Sequence, residues 1–384
     1  MARNTRIIQL IIILILITFF FSGCWNYREL DDLAIVTGVA FDQAENPDKI
    51  LMTTQVVVPK NLGSEGGNGP TFINVKSTGF TVMEAVRNYN AKLDRRPFFP
   101  FTEIVVFSKE IAREGIAPYL DFFIRDPEPR SQAWIIISDS DAQDLLEEFA
   151  NIEGIPTRAL RQMIERQQGA MSNIASSDVV EFAQAFHSKS RQPVASIIEI
   201  KGEGKEKEVL LKETAIFNED KLIGTLDRSE GRGYLWIINK VESGIIVVEE
   251  PGLSNDKISL ELLLSQSKMI PRITGDKLEI KIEVSMESQI AEQMGDLDLS
   301  KHDVLQSLER RQAAVIHNEI MAAVKKAQDL RTDIFGFGQA FTRKYPKEMR
   351  SLEAKWDEHF PLIEVSTEIK SSIRRTAVQT RPLT

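Results

Sequence analysis

Leu278-Glu279-Ile280-Lys281-Ile282-Glu283-Val284-Ser285-Met286 alternates apolar and polar residues without a break. Side chains of a strand point to opposite faces in turn, so this pattern sets one face on a core and the other in water. A sheet wetted on one face is typically antiparallel. The run closes a strand-rich region in which Val209–Phe217, Lys221–Thr225, Tyr234–Ile238, Gly244–Val248 and Lys257–Leu264 also read as strands. Downstream, Ser300 with Asp303 three residues on has the spacing of a helix N-cap. Ile316, Ile320, Ala323, Val324, Ala327, Leu330 and Ile334 then recur at steps of three and four, the signature of one helix face. Gly336-Phe337-Gly338 marks the expected end of that long helix. Pro346–Phe360 reads as a second helix with Met349, Leu352, Trp356 and Phe360 inward, and Ile363–Ile369 alternates again as a strand. This half is therefore expected to be an antiparallel sheet wrapped by a long helix.

The first half follows another rhythm. Leu33–Asp42 is a β-rich apolar run that reads as a buried strand, and Ile50–Val58, stopped by Pro59, pairs with it as a hairpin. Asn61–Pro70 is a polar, glycine-rich loop leading into a strand at Phe72–Lys76, which argues against a phosphate cradle. Thr81 and Glu84 have capping-box spacing ahead of a helix with Val82, Val86, Tyr89 and Leu93 on one face. After the basic and aromatic segment Arg95–Phe101 come a strand at Glu103–Phe107, a largely helical stretch at Lys109–Ile124 and a fully apolar strand at Ala133–Ile137. Asp139 or Ser140 is placed to cap a helix bearing Leu145, Leu146 and Phe149. Thr157–Gln168 and Asp178–His187 read as helices, and Val194–Ile200 as a strand. Strands alternating with helices indicate a mixed sheet with helices packed on it. The charged, glycine-containing run Lys201–Glu208 reads as a hinge or loop tip and is taken as the linker at a domain boundary. The expected fold is α+β / mixed α/β and multi-domain. Its parts are an N-terminal mixed sheet with helices over 24–200, a linker at 201–208, the C-terminal antiparallel sheet and long helix over 209–374, and a polar tail at 375–384.

The N-terminus carries its own signal. Arg3 and Arg6 precede an apolar run from Ile7 to Phe21, then Ser22, Gly23 and Cys24, the one cysteine of 384 residues. A basic start, an apolar stretch and small residues before a cut describe a secretory signal peptide, here 1–23. A cysteine directly after the cut matches a lipoprotein signal, although Phe21 stands where leucine is usual. Two other readings stay open. The run is a little short of the roughly 20 residues that span a bilayer, but it also reads as an uncleaved anchor with Trp25 at the interface. Cys24 also reads as an incidental buried thiol. The lipoprotein and the uncleaved anchor both place Trp25 onward outside the cytoplasmic membrane.

Without Arg3 and Arg6, the rest of the chain has 45 basic against 56 acidic residues, a net charge of −11. That balance argues against nucleic-acid binding and against broad adhesion to anionic headgroups. No nucleophile elbow, no H-E-x-x-H and no complete dinucleotide fingerprint occurs: Gly336-Phe337-Gly338-Gln339-Ala340-Phe341 lacks the last glycine and follows a helix. His187, His302, His317 and His359 are far apart in sequence and have no cysteine to join them, so no metal and no cofactor is expected. Asp126, Glu128 and Arg130 surround two prolines in one loop, a surface pairing or contact patch. No enzyme is indicated.

The segment Gly23-Cys24-Trp25-Asn26-Tyr27-Arg28-Glu29-Leu30-Asp31-Asp32, with the apolar run Leu33–Asp42 after it, resembles the opening of the Ger(x)C family, the lipoprotein C subunits of spore germinant receptors. The stretch from Glu110 to Asp126, with Glu128 and Arg130 beyond, is similar to the family's run from A-x-x-G-I to D-F-x-x-R-D. Phe101-Thr102 stands where many relatives carry Gly-His or Ser-His. The resemblance implies separate α/β domains, S-diacylglycerol and N-acyl lipidation at Cys24, and a non-enzymatic role in a complex with membrane-bound A and B subunits. It places the protein on the outer face of the cytoplasmic membrane, the spore inner membrane, in nutrient-triggered germination. Trp25, Arg28 and Glu29, next to the anchor, are the expected partner contact. The alternative reading is a solute-binding lipoprotein of a transporter, which requires two matched lobes; the strand-rich second half argues against them.

Overall fold

The computed structural model describes residues 29, 32–62, 69–147, 153–202, 206–251 and 256–374. Among these, thirteen strands form two sheets. The first contains β1 (Leu33–Gln43), β2 (Ile50–Val57), β3 (Phe72–Gly79), β4 (Arg96–Phe98), β5 (Ile104–Ser108), β6 (Trp134–Ser138), β7 (Val194–Lys201), β8 (Glu208–Asn218) and β9 (Lys221–Leu226). Its order is β3-β2-β1-β5-β6-β7-β8-β9, with β4 beside the start of β1. Strands β1, β5, β6 and β7 run parallel, and the flanking pairs are antiparallel.

The parallel strands are continuously apolar because both faces are covered. One face packs Phe41, Phe107, Ile135 and Ile197 under α1 (Val82–Asn88), α2 (Lys109–Glu114), α3 (Ala117–Arg125) and α5 (Val179–Phe186). The other packs Ala40, Ile104, Val106 and Ile136 against Leu160 and Ile164 of α4 (Pro156–Ala170). The expected caps are present at two helices: Thr81 accepts from the Glu84 amide at 3.1 Å, and Asp178 from the Glu181 amide at 2.7 Å. The helix expected after Asp139 or Ser140 is instead a short 3-10 turn at Ala142–Leu146, entered through Asp141. Leu145 and Leu146 are buried there as expected, and Phe149 lies outside the described residues.

The second sheet contains β10 (Ile245–Glu249), β11 (Lys257–Thr274), β12 (Lys277–Gln293) and β13 (Glu364–Arg374) in that order. It is antiparallel from β10 to β12, while β13 joins β12 in parallel. The long helix α7 (His302–Asp329) returns the chain to the starting end, so β13 enters in the direction of β12, as in any crossover connection. Ile316, Ile320, Ala323, Val324 and Ala327 bury the predicted stripe against Ile280, Ile282 and Val284.

Several expectations are corrected. Tyr234–Ile238 is not a strand: it lies in helix α6 (Arg228–Ile237), opened by a full capping box between Asp227 and Glu230. The long helix starts at His302, with Ser300 bonded to Asp298 instead of capping it, and ends at Asp329. Gly336, at φ 78°, opens a separate helix α8 (Phe337–Lys344). Pro346–Phe360 breaks into α9 (Pro346–Leu352), a 3-10 turn and α10 (Trp356–His359), with Met349, Trp356 and Phe360 buried as expected. The supposed linker 201–208 joins β7 to β8, which pair antiparallel from Val194↔Ile216 to Lys201↔Glu208. It is a hairpin connection inside the first sheet, and that sheet continues to Leu226. The two sheet units are fastened together beyond it: the Gln192 amide donates to the Asp333 carbonyl at 2.7 Å, and Gln339 Nε2 to Ser188 Oγ at 3.0 Å.

Candidate anchor-proximal interaction site

Of the residues expected to act at the membrane end, Cys24, Trp25 and Arg28 lie outside the described residues. Glu29 is exposed, and its carbonyl accepts from the Asp32 amide at 3.1 Å just ahead of β1. Leu33 is nine positions beyond Cys24. A chain of that length spans at most about 30 Å. Whatever surrounds the start of β1 is therefore held within that distance of Cys24.

Two segments noted separately in the sequence meet there. Strand β4 pairs with β1 at Leu33↔Arg96 and Ile35↔Phe98. Arg96 Nη2 donates to Glu128 Oε1 at 2.8 Å, tying the Arg95–Phe101 segment to the Asp126–Arg130 loop. That loop is shaped by Asp126, whose Oδ1 accepts from the Glu128 amide at 2.8 Å. Phe99 packs edge-on against Phe122 of α3 at 5.5 Å, while Phe98 leans on Phe101 at 5.9 Å. Phe101 itself is 51% exposed. A small cleft of about 180 Å³ opens between Arg87, Arg96, Phe99, Phe122 and Asp126. At the end of α3, Arg125 holds the Asp121 carboxyl below its usual range by hydrogen bonding, chiefly, and charge. The pair is fully exposed, so it gives surface character more than stability. An arginine-framed, partly aromatic surface of this kind suits contact with a protein.

Ligands in open α/β sheets bind at the carboxyl ends of the strands, where the strand order reverses. Here the parallel order β1-β5-β6-β7 has no reversal. Those strand ends are filled by the chain's own groups. Asp139 bridges Lys109 and Lys212, and Lys212 also reaches Glu199 at 3.0 Å. Hydrogen bonds from the two lysines hold the Asp139 carboxyl below its ordinary range, and its partners hold Lys212 above. Asp42, at the end of β1, accepts from the amides of Ala142 and Gln143 at 2.6 and 3.0 Å and so caps the 3-10 turn. Burial raises its carboxyl to about 6 against the pull of those two amides.

The histidines are not brought together. His317 Nδ1 meets Thr367 Oγ1, His302 Nε2 meets Gln306, and no group of three metal-ligating side chains exists among the described residues. Gly336-Phe337-Gly338 is a packing motif. A side chain at Gly338 would run into Ser190 and the Trp356 ring, and the turn wraps Asp333. Asp333 was not singled out in the sequence, yet its carboxylate accepts from the amides of Phe335, Gly336, Phe337 and Gly338 and from Trp356 Nε1 at 3.0 Å. Glu319 was missed likewise; it is buried and takes Arg232 and Trp236 Nε1. Each acid stands directly before a buried isoleucine, Ile320 or Ile334, the one sequence cue to either.

Two family models cover nearly all of the chain. "Spore germination protein N-terminal domain" matches residues 26–200, and "Spore germination B3/ GerAC like, C-terminal" matches residues 212–377. The chain belongs to the Ger(x)C family. Similar relatives from Bacillus subtilis (strain 168) are spore germination protein KC, 25% identical over 97% of both chains, and putative spore germination protein YfkR, 25% identical over 91% of this chain and 92% of that one. Spore germination protein B3 is 21% identical, covering 88% of this chain and 90% of its own. The crystal structure of the GerBC protein shares the fold, with a TM-score of 0.54 and 17% identity, over 88% of this chain and 96% of that chain. The two Ger(x)C models leave 201–211 between them, which includes the hairpin connection, so β8 from Lys212 on and β9 of the first sheet come from the segment matched as C-terminal. No described helix is long and apolar enough to cross a membrane.

Proposed function

We propose that this Ger(x)C chain is the lipid-anchored, non-enzymatic C subunit of a nutrient germinant receptor. Cleavage after Gly23 leaves Cys24 as the lipidated N-terminus. The subunit sits on the outer face of the cytoplasmic membrane, which becomes the inner membrane of the spore, and assembles with membrane-embedded A and B subunits. The observation that carries this reading is the end-to-end match to spore germination proteins, whose own lengths are covered almost completely. The lipoprotein pattern at Phe21–Cys24 and the contact surface around β1, β4 and the Asp126–Arg130 loop support it.

A two-chain lipid at Cys24 gives stable attachment without a basic patch, which suits a chain of net negative charge. Trp25, Arg28 and Glu29 join the anchor-proximal surface as partner contacts. Tethering raises the concentration at which that surface meets a membrane partner. A solute-binding role fits less well, because the two sheet units differ in strand number and topology. The test is deletion of the gene followed by nutrient germination of the spores, with complementation by the wild-type chain. Loss of the response to one class of nutrient, restored on complementation, is expected. Unchanged germination with all nutrients, together with no membrane protein recovered with the tagged chain, refutes the reading.

A further inference from the structure

An uncovered edge strand offers a row of backbone groups to any passing chain, and folded proteins normally blunt it. Three of the four sheet edges here are blunted. On β3, the Lys76 carbonyl accepts from Lys92 Nζ at 2.6 Å and the Thr78 carbonyl from Asn88 Nδ2 at 2.9 Å. Strand β9 is packed by α2, and the Asp220 carbonyl in the turn before it accepts from the Ile116 amide at 3.1 Å. Strand β13 bears Glu364, Glu368 and Arg374, each ion-paired.

Strand β10 packs its buried face on α7, but along Ile245-Ile246-Val247-Val248 it carries no charge. Its ladder with β11 is bracketed by bonds from the Leu262 amide to the Gly244 carbonyl and from the Glu250 amide to the Asp256 carbonyl. Antiparallel bonding alternates, so Ile246 and Val248 bond to β11, while Ile245, Val247 and Glu249 turn their N–H and C=O groups the other way. The Ile245 carbonyl accepts from Arg232 Nη1 at 3.0 Å; the Val247 groups have no partner among the described residues. The same alternation exposes Ile245 and Val247 on the outer face at 43% and 52%, and Leu264 of β11 extends the patch at 59%. The rim is acidic. Glu249 is paired with Lys257, and nearby Arg232 and Lys240 are held by Glu319 and Glu181. At the other end Glu242 and Glu261 have no ion pair among the described residues, although Glu261 accepts from Gln289 Nε2 at 2.7 Å.

We propose that β10 is a strand-addition site. It takes an extended segment of a partner protein, apolar at alternate positions and with lysine or arginine at the end beside Glu242 and Glu261, as a fifth strand of the second sheet. The free backbone groups of Val247 demand a strand, the outer face selects apolar residues at every second position, and Glu242 and Glu261 select the basic end. The inference rests on the receptor reading only for where the partner is found, in the spore membrane.

Val247→Pro is the discriminating variant. It removes an N–H that the isolated fold does not use, and proline is tolerated on an edge whose N–H faces solvent. Val247→Thr keeps both the N–H and the β-branched shape. Amide exchange is measured on the full chain in detergent and in native spore membranes, and the membrane proteins recovered with each tagged variant are quantified. The Val247 amide is expected to exchange at least about tenfold more slowly in the membrane than in detergent. V247P is expected to lose most of the recovered partner while its unfolding midpoint stays with that of wild type, and V247T to recover the partner like wild type. Equal exchange of Val247 in both settings, or full recovery of partner by V247P, overturns the proposal. Protection that rises with the concentration of the isolated chain also overturns it, because the occupant is then a second copy. If no membrane protein is recovered with the wild-type chain, the receptor reading fails separately, and the exchange measurement still decides the strand.

Discussion

Gly233→Ala tests how tightly the second unit is assembled. Gly233 lies where α6 crosses α7. A Cβ there would run into the Glu319 carbonyl oxygen, stand 2.5 Å from the Glu319 carbonyl carbon and 3.0 Å from Ala323 Cβ. Ordinary contact begins at 3.4 Å, so the helices must part by about 1 Å at backbone that cannot swing aside. In an open helix the same change gains up to about 1 kcal/mol. Overpacking costs about 1–3 kcal/mol. Parting the helices also strains the bonds from Arg232 and Trp236 to Glu319, whose side chain is only 5% exposed. A buried carboxylate that loses its partners costs about 3–5 kcal/mol. A net loss of about 2–4 kcal/mol follows, lowering Tm by about 4–16 °C for a unit of this size. Urea unfolding and calorimetry of the full chain in detergent check it. Gly169→Ala is the control, since nothing lies within 4 Å of its added Cβ, and it should be neutral or slightly stabilising. A G233A protein as stable as wild type would refute the close-contact argument.

Cys24→Ala should leave unfolding unchanged while moving the protein from the membrane to the soluble fraction; full retention in washed membranes would restore the uncleaved-anchor reading. Asp333→Ala strips the acceptor from four backbone amides and an indole, and should cost at least about 3 kcal/mol in urea unfolding, with Asp333→Asn intermediate. Asp42 and Asp333 are both raised by burial from 3.8 to about 6. A carboxyl raised in the folded state stabilises below its unfolded pKa, and that contribution is lost as pH rises through the folded value. The urea midpoint should accordingly fall between about pH 4 and pH 6 on their account, and Asp42→Asn should flatten the slope; an identical slope in D42N would exclude Asp42 as a source.

Strand and helix order was largely legible because burial imposes periodicity. The alternation at Leu278–Met286 and the stripe from Ile316 to Ala327 each name their element and its inner face. Tyr234–Ile238 misled because a short apolar run reads alike in a strand and a buried helix. The deciding marks were Asp227 with Glu230 and the two glycines that let α6 lie against its neighbours. Lys201–Glu208 left hinge and loop tip open because a solvated charge run looks the same in a linker and at a hairpin tip. The parallel entry of β13 depends on the path of α7, which no local pattern records. At the candidate site the pieces were visible, Arg95–Phe101 and Asp126–Arg130, but their meeting through Arg96 and Glu128 is a contact across 32 positions. The free edge of β10 became visible only when its neighbours had been placed.

The hairpin from β7 to β8 has a consequence for how the protein is made. A chain is made from its N-terminus, and β7 is out before β8 and β9 exist to cover it. Until about residue 226 has emerged, the nascent first sheet ends in the bare edge of Val194–Lys201, most of it apolar. A break placed between the two family segments would make that transient edge permanent. Split versions of this protein should therefore be cut after Leu226, with β8 and β9 left on the leading half.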